Sequence, residues 1–404
     1  LGSLRLLSRF LNGLRGLFII TSINPSLLGE YTIYFLYFFY FSCFEFGISY
    51  GLERDLPHYR GQNDKQAIEN VANTGWSSFF SISLLSSICL AAVSFIVFGE
   101  WLLSLLLAGY LFTDKLYRAY DTNSRIYFQF RVNGTAELIS AAVGFILVYI
   151  YLPRYGIYSI FACFIAGSIV GTMYLALHSP LKFKLEFQPG KTLKYIKKTL
   201  PLTTMYYSIA IFNNISLTIV ALIWDKATLG YYAFAFRIFQ ICLAIFPFLV
   251  REVMRTRMYF LMAKEENKRF GFQELKFPML IYGVITSLFW VVVYWWAKYA
   301  VFQFAPDYQS SVVVLNILLI SLLPLGINKI CSDYLCSRVF NKMMFVNCCW
   351  VIGIIFQITC IFFADRVLQN AFNIIPVIYV LGTFLIYFCI VGYAFQTGKK
   401  KGEF

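Results

Sequence analysis

The chain has 404 residues, 59% of them hydrophobic, 20% aromatic and 13% charged, with a formal net charge of +14. A soluble domain carries about 25% charged residues, so the composition excludes one, and the basic residues are scattered between apolar runs instead of gathered on a nucleic-acid-binding face. Ten cysteines lie in or beside those runs and the histidines are His58 and His178 alone, which argues against a disulfide framework and against a zinc set.

Crossing a hydrocarbon layer takes about 20 apolar residues, and runs of that length recur along the whole chain. They predict about twelve spans: 1–22, 29–50, 75–98, 101–123, 132–152, 157–177, 200–223, 229–252, 277–300, 309–334, 343–363 and 371–395. The fold class expected is therefore an all-α polytopic membrane protein.

The first run carries Arg5, Arg9 and Arg15 and no small-residue cleavage site, so it is expected to be a span, not a cleaved leader. With a start at Leu1, residues upstream of it are also expected. Arg5, Ser8, Arg9, Asn12 and Arg15 fall within an arc of about 120° at helical spacing. One face of this helix is cationic. Arg5 and Arg9 can snorkel to a membrane surface, whereas Arg15 lies deeper and requires a partner or water.

The second run, "YFLYFFYFSCFEFGISYGL", contains Glu45 and leads into "ERDLPHYRG". Pro57 is expected to end that helix, with Arg54 at the inner mouth of a cavity and Glu53 and Asp55 holding it or tying the inner ends together. In the fourth run Asp114 and Arg118 form an i,i+4 pair beside Lys115.

The connection "LHSPLKFKLEFQPGKTLKYIKKTLP" divides the chain into an N-lobe, 1–180, a basic segment, 181–199, and a C-lobe, 200–404. Lys191, Lys194, Lys197 and Lys198 recur at helical spacing, as in an amphipathic helix on an anionic membrane surface. "PGKT" matches the end of a phosphate-binding loop, but Leu185 stands where that motif needs glycine. No nucleotide site and no cofactor follow.

In the second half, Asn213, Asn214, Asn316 and Asn328 suit interhelical hydrogen bonding. Arg237 has no acid within a turn but has Gln240, while Lys329 and Asp333 form another i,i+4 pair. Basic residues concentrate on alternate loops, and the opposite loops carry only Arg154, Lys226, Lys298 and Arg366, four of the 34. By the positive-inside rule both termini are cytoplasmic.

Placing residue i against i+201 sets "NPSLLGEYTIYF" over "DKATLGYYAFAF", matching Leu28-Gly29 with Leu229-Gly230 and Tyr31 with Tyr232, and then Arg54 with Arg255. The same loop, span and charged exit recur half a chain apart. That predicts two six-helix bundles related by an axis along the membrane normal.

Ionisable groups at membrane depth cost about 2.5–3.5 kcal/mol each on insertion scales, so they face protein or water. Arginines directed inward with few acids beside them suit an anionic ligand, and forked guanidinium donors suit phosphate. Neutralising Arg15, Arg54, Arg237 and Arg255 is the corresponding test.

"LLGEYTIYFLYFFYFSCFEFGISYGLERDLPHYRGQNDKQ", repeated as "LGYYAFAFRIFQICLAIFPFLVREVMRTRM" with Pro247, resembles the polysaccharide exporters of the multidrug/oligosaccharidyl-lipid/polysaccharide (MOP) superfamily, and most of all its O-antigen and capsule flippases. The resemblance implies a V-shaped, MATE-like pair of lobes around a cationic central cavity, working by alternating access in a bacterial cytoplasmic membrane. Its cargo would be a polyprenyl-pyrophosphate-linked oligosaccharide. By position, Arg15, Arg54, Arg237 and Arg255 would serve the pyrophosphate, with Arg9 and Arg118 as further cationic candidates. Glu45, Asp55, Lys329 and Asp333 are candidates for coupling or gating, driven by protons or sodium. For Glu45 a permanent salt bridge to a cavity arginine is the stronger expectation. Partners expected are the lipid-linked glycan, membrane lipids, a coupling ion and other polysaccharide-assembly proteins, and no nucleic acid.

Two rivals remain open. A multidrug exporter of the same fold would want acidic groups for cationic drugs. A membrane-embedded polymerase or ligase would want a sizeable outer loop, and every outer loop is short. No nucleophile, base or metal constellation emerges.

Overall fold

The computed structural model describes residues 2–61, 64–127, 129–179, 181, 183–184, 186, 189–243, 273–335, 342–367 and 371–400. Helices occupy nearly all of them: α1 (Gly2–Ser22), α2 (Pro25–Ser42), α3 (Ile48–Gly61), α4 (Lys65–Phe98), α5 (Trp101–Ile126), α6 (Phe130–Tyr155), α7 (Ile157–His178) and α8 (Pro189–Ile223). They continue with α9 (226–243), α10 (Gln273–Phe304), α11 (Ser311–Ile320), α12 (Leu322–Leu335), α13 (Met343–Val367) and α14 (Ile375–Lys400). Eight helical stretches among the described residues are long and apolar enough to cross a membrane. The chain is an all-helical polytopic membrane protein.

Contacts divide it into two units, Leu1–Ile23 with Glu30–Thr204, and Asn24–Gly29 with Met205–Phe404. In the first unit, α1 packs on α6, α6 on α7, α7 on α5 and α5 on α4. Small residues let these helices close without a hydrophobic drive from water. A Cβ on Gly167 of α7 would meet the Ser140 carbonyl of α6 at 2.9 Å. Two buried serines of α4 return their hydroxyls to their own helix, Ser87 to the Ser83 carbonyl at 2.8 Å and Ser94 to that of Leu90 at 2.6 Å. These two hydroxyls are thus satisfied without a partner on another helix.

The second predicted span departs from a simple rod. α2 tightens into a 3-10 turn at Cys43–Glu45, and Phe46 and Gly47 adopt positive φ of 49° and 68° before α3 begins. Thr199 and Thr203 of α8 donate hydroxyls to the freed Phe46 carbonyl at 3.2 and 3.0 Å. α3 then runs through Pro57 to Gly61, contrary to the expectation that Pro57 ends it. A proline inside a helix removes one amide donor, but Leu52 and Leu56 of α3 are anchored in a core with Trp76, Phe79, Ala119 and Ile126, and that packing carries the helix past it. Asp64 caps the next helix through the Ala67 amide at 3.0 Å, so α4 starts at Lys65, about three turns before the predicted apolar edge.

Two further boundaries shift. The lysine-rich segment is continuous with the seventh span as the single 35-residue helix α8, about 52 Å long at 1.5 Å per residue; it is not a separate surface helix. Buried Tyr195 and Thr199 hold these turns against protein, with Lys191, Lys194 and Lys197 on the exposed side. The tenth span is broken at Ser321, between α11 and α12. Pro324 explains the break: it has no amide to bond the carbonyl four residues earlier, at Ile320, where α11 ends.

The i,i+201 relation is physical in the second unit. Asn24 and Asp225, which it pairs, are both N-caps: the Leu27 amide donates to Asn24 Oδ1 at 2.9 Å, and the Ala227 amide to Asp225 Oδ2 at 3.1 Å. The Thr228 hydroxyl, donating to Asp225 Oδ1 at 2.6 Å, holds that carboxyl below the usual carboxylate range. Just beyond the caps the two helix starts touch reciprocally. A Cβ on Gly29 would lie 1.8 Å from the Lys226 carbonyl oxygen, and a Cβ on Gly230 1.8 Å from that of Pro25. Residues 25 and 29 pair with 226 and 230 in the register read from sequence. Removing either cap, Asn24→Ala or Asp225→Ala, is expected to cost about 1 kcal/mol; equal thermal shifts in detergent would support their equivalence, and an unshifted midpoint for either would refute it.

Candidate functional site

α1 turns the face that carries Arg15 inward. Ser8, two turns before Arg15 on the same face, and Ile19, one turn after it, are buried, while Leu7, Phe10 and Leu17 are exposed. Arg15 reaches between α6 and α7, with its guanidinium carbon 4.4 Å from the centre of the Phe164 ring. Gly144 of α6 makes the room, since a Cβ there would lie 2.4 Å from Arg15 Nη1. An arginine over an aromatic face keeps its charge and its outward donors. The ring belongs to an aromatic series in which Tyr110 lies 5.2 Å from Phe164 and stacks on Phe38 at 4.3 Å, and Tyr31 lies 5.7 Å from Phe161. No carboxylate pairs with Arg15 among the described residues.

The other first-unit candidates are held differently. Arg9 lies a turn and a half earlier on α1, half-buried. Glu45 forms a buried pair with Lys115 at 2.8 Å and accepts from the Ser49 hydroxyl at 2.9 Å. Its partner is therefore a lysine and not the arginine expected, because α5 places Lys115 directly against the 3-10 turn. Arg118 pairs with Asp114 at 2.8 Å, as its i,i+4 spacing predicts. Glu53 engages Arg125 of α5 at 2.8 Å, and Asp121 engages the same arginine at 3.0 Å, tying α3 to α5. Asp55 is buried on α3. Arg54 is on the same helix, and its side chain lies outside the described residues.

In the second unit, Arg237 sits on α9, half-buried, with Nη1 donating to Gln240 Oε1 at 3.4 Å. Arg255 lies outside the described residues, as does the side chain of Asp333; Lys329 is half-buried on α12. Two asparagines do act between helices: Tyr379 donates to Asn213 at 3.1 Å, and Asn328 donates to the Thr383 carbonyl at 3.4 Å. The structure thus brings Arg15 together with Gly144 and Phe164, and Glu45 with Lys115. Phe164 and Gly144 carried no signal in sequence, since one phenylalanine or glycine in an apolar span is ordinary.

The structure resembles several solved transporters. It matches an inward-facing multidrug resistance MATE family transporter of the MOP superfamily at a TM-score of 0.76 and 13% identity, over 98% of this chain and 96% of that one. It matches the lipid II flippase MurJ, in an inward closed conformation, at 0.72 and 16%, over 96% and 85%, and the Vibrio cholerae MATE transporter VcmN, in a mutant form, at 0.60 and 14%, over 99% and 98%. At such identities the likeness shows the fold. No curated protein matches the sequence. The profile of the polysaccharide biosynthesis protein family matches residues 62–270, more than half of the chain, and on that ground the protein, which has a MATE-like fold, belongs to the polysaccharide biosynthesis protein family.

Proposed function

We propose that the protein is a flippase that carries a polyprenyl-pyrophosphate-linked oligosaccharide, such as an O-antigen or capsule repeat unit, from the cytoplasmic to the outer leaflet of a bacterial inner membrane. The observation that carries this reading is Arg15, a cation at membrane depth seated on Phe164 and paired with no carboxylate among the described residues. Family membership and the fold shared with a lipid II flippase support it. In this reading two lobes, 1–180 and 200–404, alternate access to a cationic cavity to which Arg15, Arg54, Arg237 and Arg255 contribute. Both termini are cytoplasmic, and a proton or sodium gradient or the membrane potential supplies the drive. The protein acts as a transporter, not an enzyme, alongside other polysaccharide-assembly proteins. Among the described acids at depth, Asp114 and Glu45 are tied to Arg118 and Lys115, which weighs against a cavity for cationic drugs.

The test is protection of a labelled lipid-linked oligosaccharide in reconstituted vesicles. Losing a charge-assisted contact of about 1.5–3 kcal/mol lowers a rate or affinity by roughly 10–150-fold, so Arg15→Ala is expected to slow flipping by at least tenfold. Gly144→Ala leaves the charge in place but pushes Nη1 aside, and it is expected to slow flipping with little loss of stability because only the tip of a flexible side chain must move. Unchanged flipping in both variants would overturn the role given to Arg15.

A further inference from the structure

A groove of about 740 Å³ lies between α10 and α11, wholly within the second unit. Its walls include Tyr294, Trp295, Lys298 and Tyr299 of α10, with Gln309 and Asn316 opposite. Trp295 is 74% exposed and Tyr299 61%. Aromatic residues near the end of a span are commonplace at membrane surfaces, and that alone would account for the rings. It does not account for the far wall. The backbone carbonyl of Asn316 accepts from the Trp290 indole at 3.3 Å, but its side-chain oxygen is buried and has no hydrogen-bond partner among the described residues. A buried amide oxygen left unpaired is costly. An acyl chain lying in the groove would leave it so.

A ligand that brings hydroxyl groups to Asn316 and a flat apolar face to the rings satisfies both requirements, and a sugar ring does this. We propose that the α10–α11 groove is a saccharide subsite: one or two sugar rings rest on Trp295 and Tyr299, Asn316 accepts a sugar hydroxyl, Gln309 adds amide contacts, and Lys298 faces an acidic sugar. Lys298 is one of four basic residues on the loops assigned to the outer side, so the subsite would engage the glycan after translocation. The proposal rests on the flippase reading for the identity of its ligand.

The test uses the full chain in phosphatidylcholine nanodiscs and, as probe, the free oligosaccharide released by mild acid from the lipid-linked pool of the source cells, read by saturation-transfer NMR. Transfer from wild type to sugar protons is expected. Asn316→Leu and Tyr299→Ala are each expected to weaken binding by about tenfold. Tyr299 is exposed, so its variant keeps the test valid if Asn316→Leu fails to fold. Absence of transfer from wild type, or transfer indifferent to Tyr299→Ala, overturns the subsite. Loss of transfer on exchange into phosphatidylglycerol nanodiscs also overturns it, marking the groove as a phospholipid site. A chain that binds the free sugar but flips no lipid-linked oligosaccharide sinks the flippase reading alone, and one that flips without binding the free sugar sinks the subsite alone.

Discussion

Gly29→Ala and Gly230→Ala are each expected to destabilise the protein by about 1–3 kcal/mol, seen as a lower thermal midpoint in detergent. The sign is not obvious beforehand, because alanine is better than glycine inside a helix by about 1 kcal/mol. The contact decides it. An added Cβ would stand 1.8 Å from a backbone carbonyl oxygen, that of Lys226 or Pro25, and a backbone atom cannot move aside by changing rotamer. The two helix starts would have to separate. Because both substitutions open the same crossing, their effects should not add: once one Cβ has parted the helices, the second meets less resistance. A rise in midpoint for either single variant, or strict additivity in the double, would show that the crossing is not closed by these glycines.

Lys115→Met is expected to cost still more, about 3–5 kcal/mol, the usual consequence of stranding one partner of a buried ion pair. Lys115 is 1% exposed and Glu45 8%, so neither charge can recover hydration by a small shift. Glu45→Leu alone should be similarly harmful. The pair removed together, Glu45→Leu with Lys115→Met, should regain most of the loss, since two apolar groups of similar volume carry no desolvation penalty. Thermal unfolding of the two single variants and the double measures this. If the double variant is as unstable as the worse single, then the pair matters for more than mutual neutralisation, and a coupling role for Glu45 gains ground.

Much of the architecture could be read from the sequence because membrane helices announce themselves by length and hydropathy, and their ends by charge. The pairing of 24–35 with 225–236 was legible for a related reason: a cap, a small residue at a crossing and a buried tyrosine are each dictated locally. What escaped were relations between distant residues. That Glu45 would meet Lys115, 70 positions away, could not be chosen over an arginine by spacing. Arg15 was singled out by depth, yet the seat formed by Gly144 and Phe164 became visible only when α6 and α7 were in place. The aromatic residues of α10 carried no signal in sequence, and the groove they form with Gln309 and Asn316 is visible only with α11 in place. The helical spacing of the lysines at 191–198 suggests a surface helix, whereas α8 runs on from them into the seventh span.

The break at Phe46 has a consequence of its own. A non-glycine residue with φ of 49° carries strain of about 1–3 kcal/mol, and glycine or asparagine would occupy that conformation more cheaply. Phe46 is 37% exposed, so burying its side chain returns little of that cost, which is met where its carbonyl accepts the Thr199 and Thr203 hydroxyls at 3.2 and 3.0 Å. The joint between α2 and α3 is therefore held through its backbone, and its shape depends on α8 more than on the residue that adopts it.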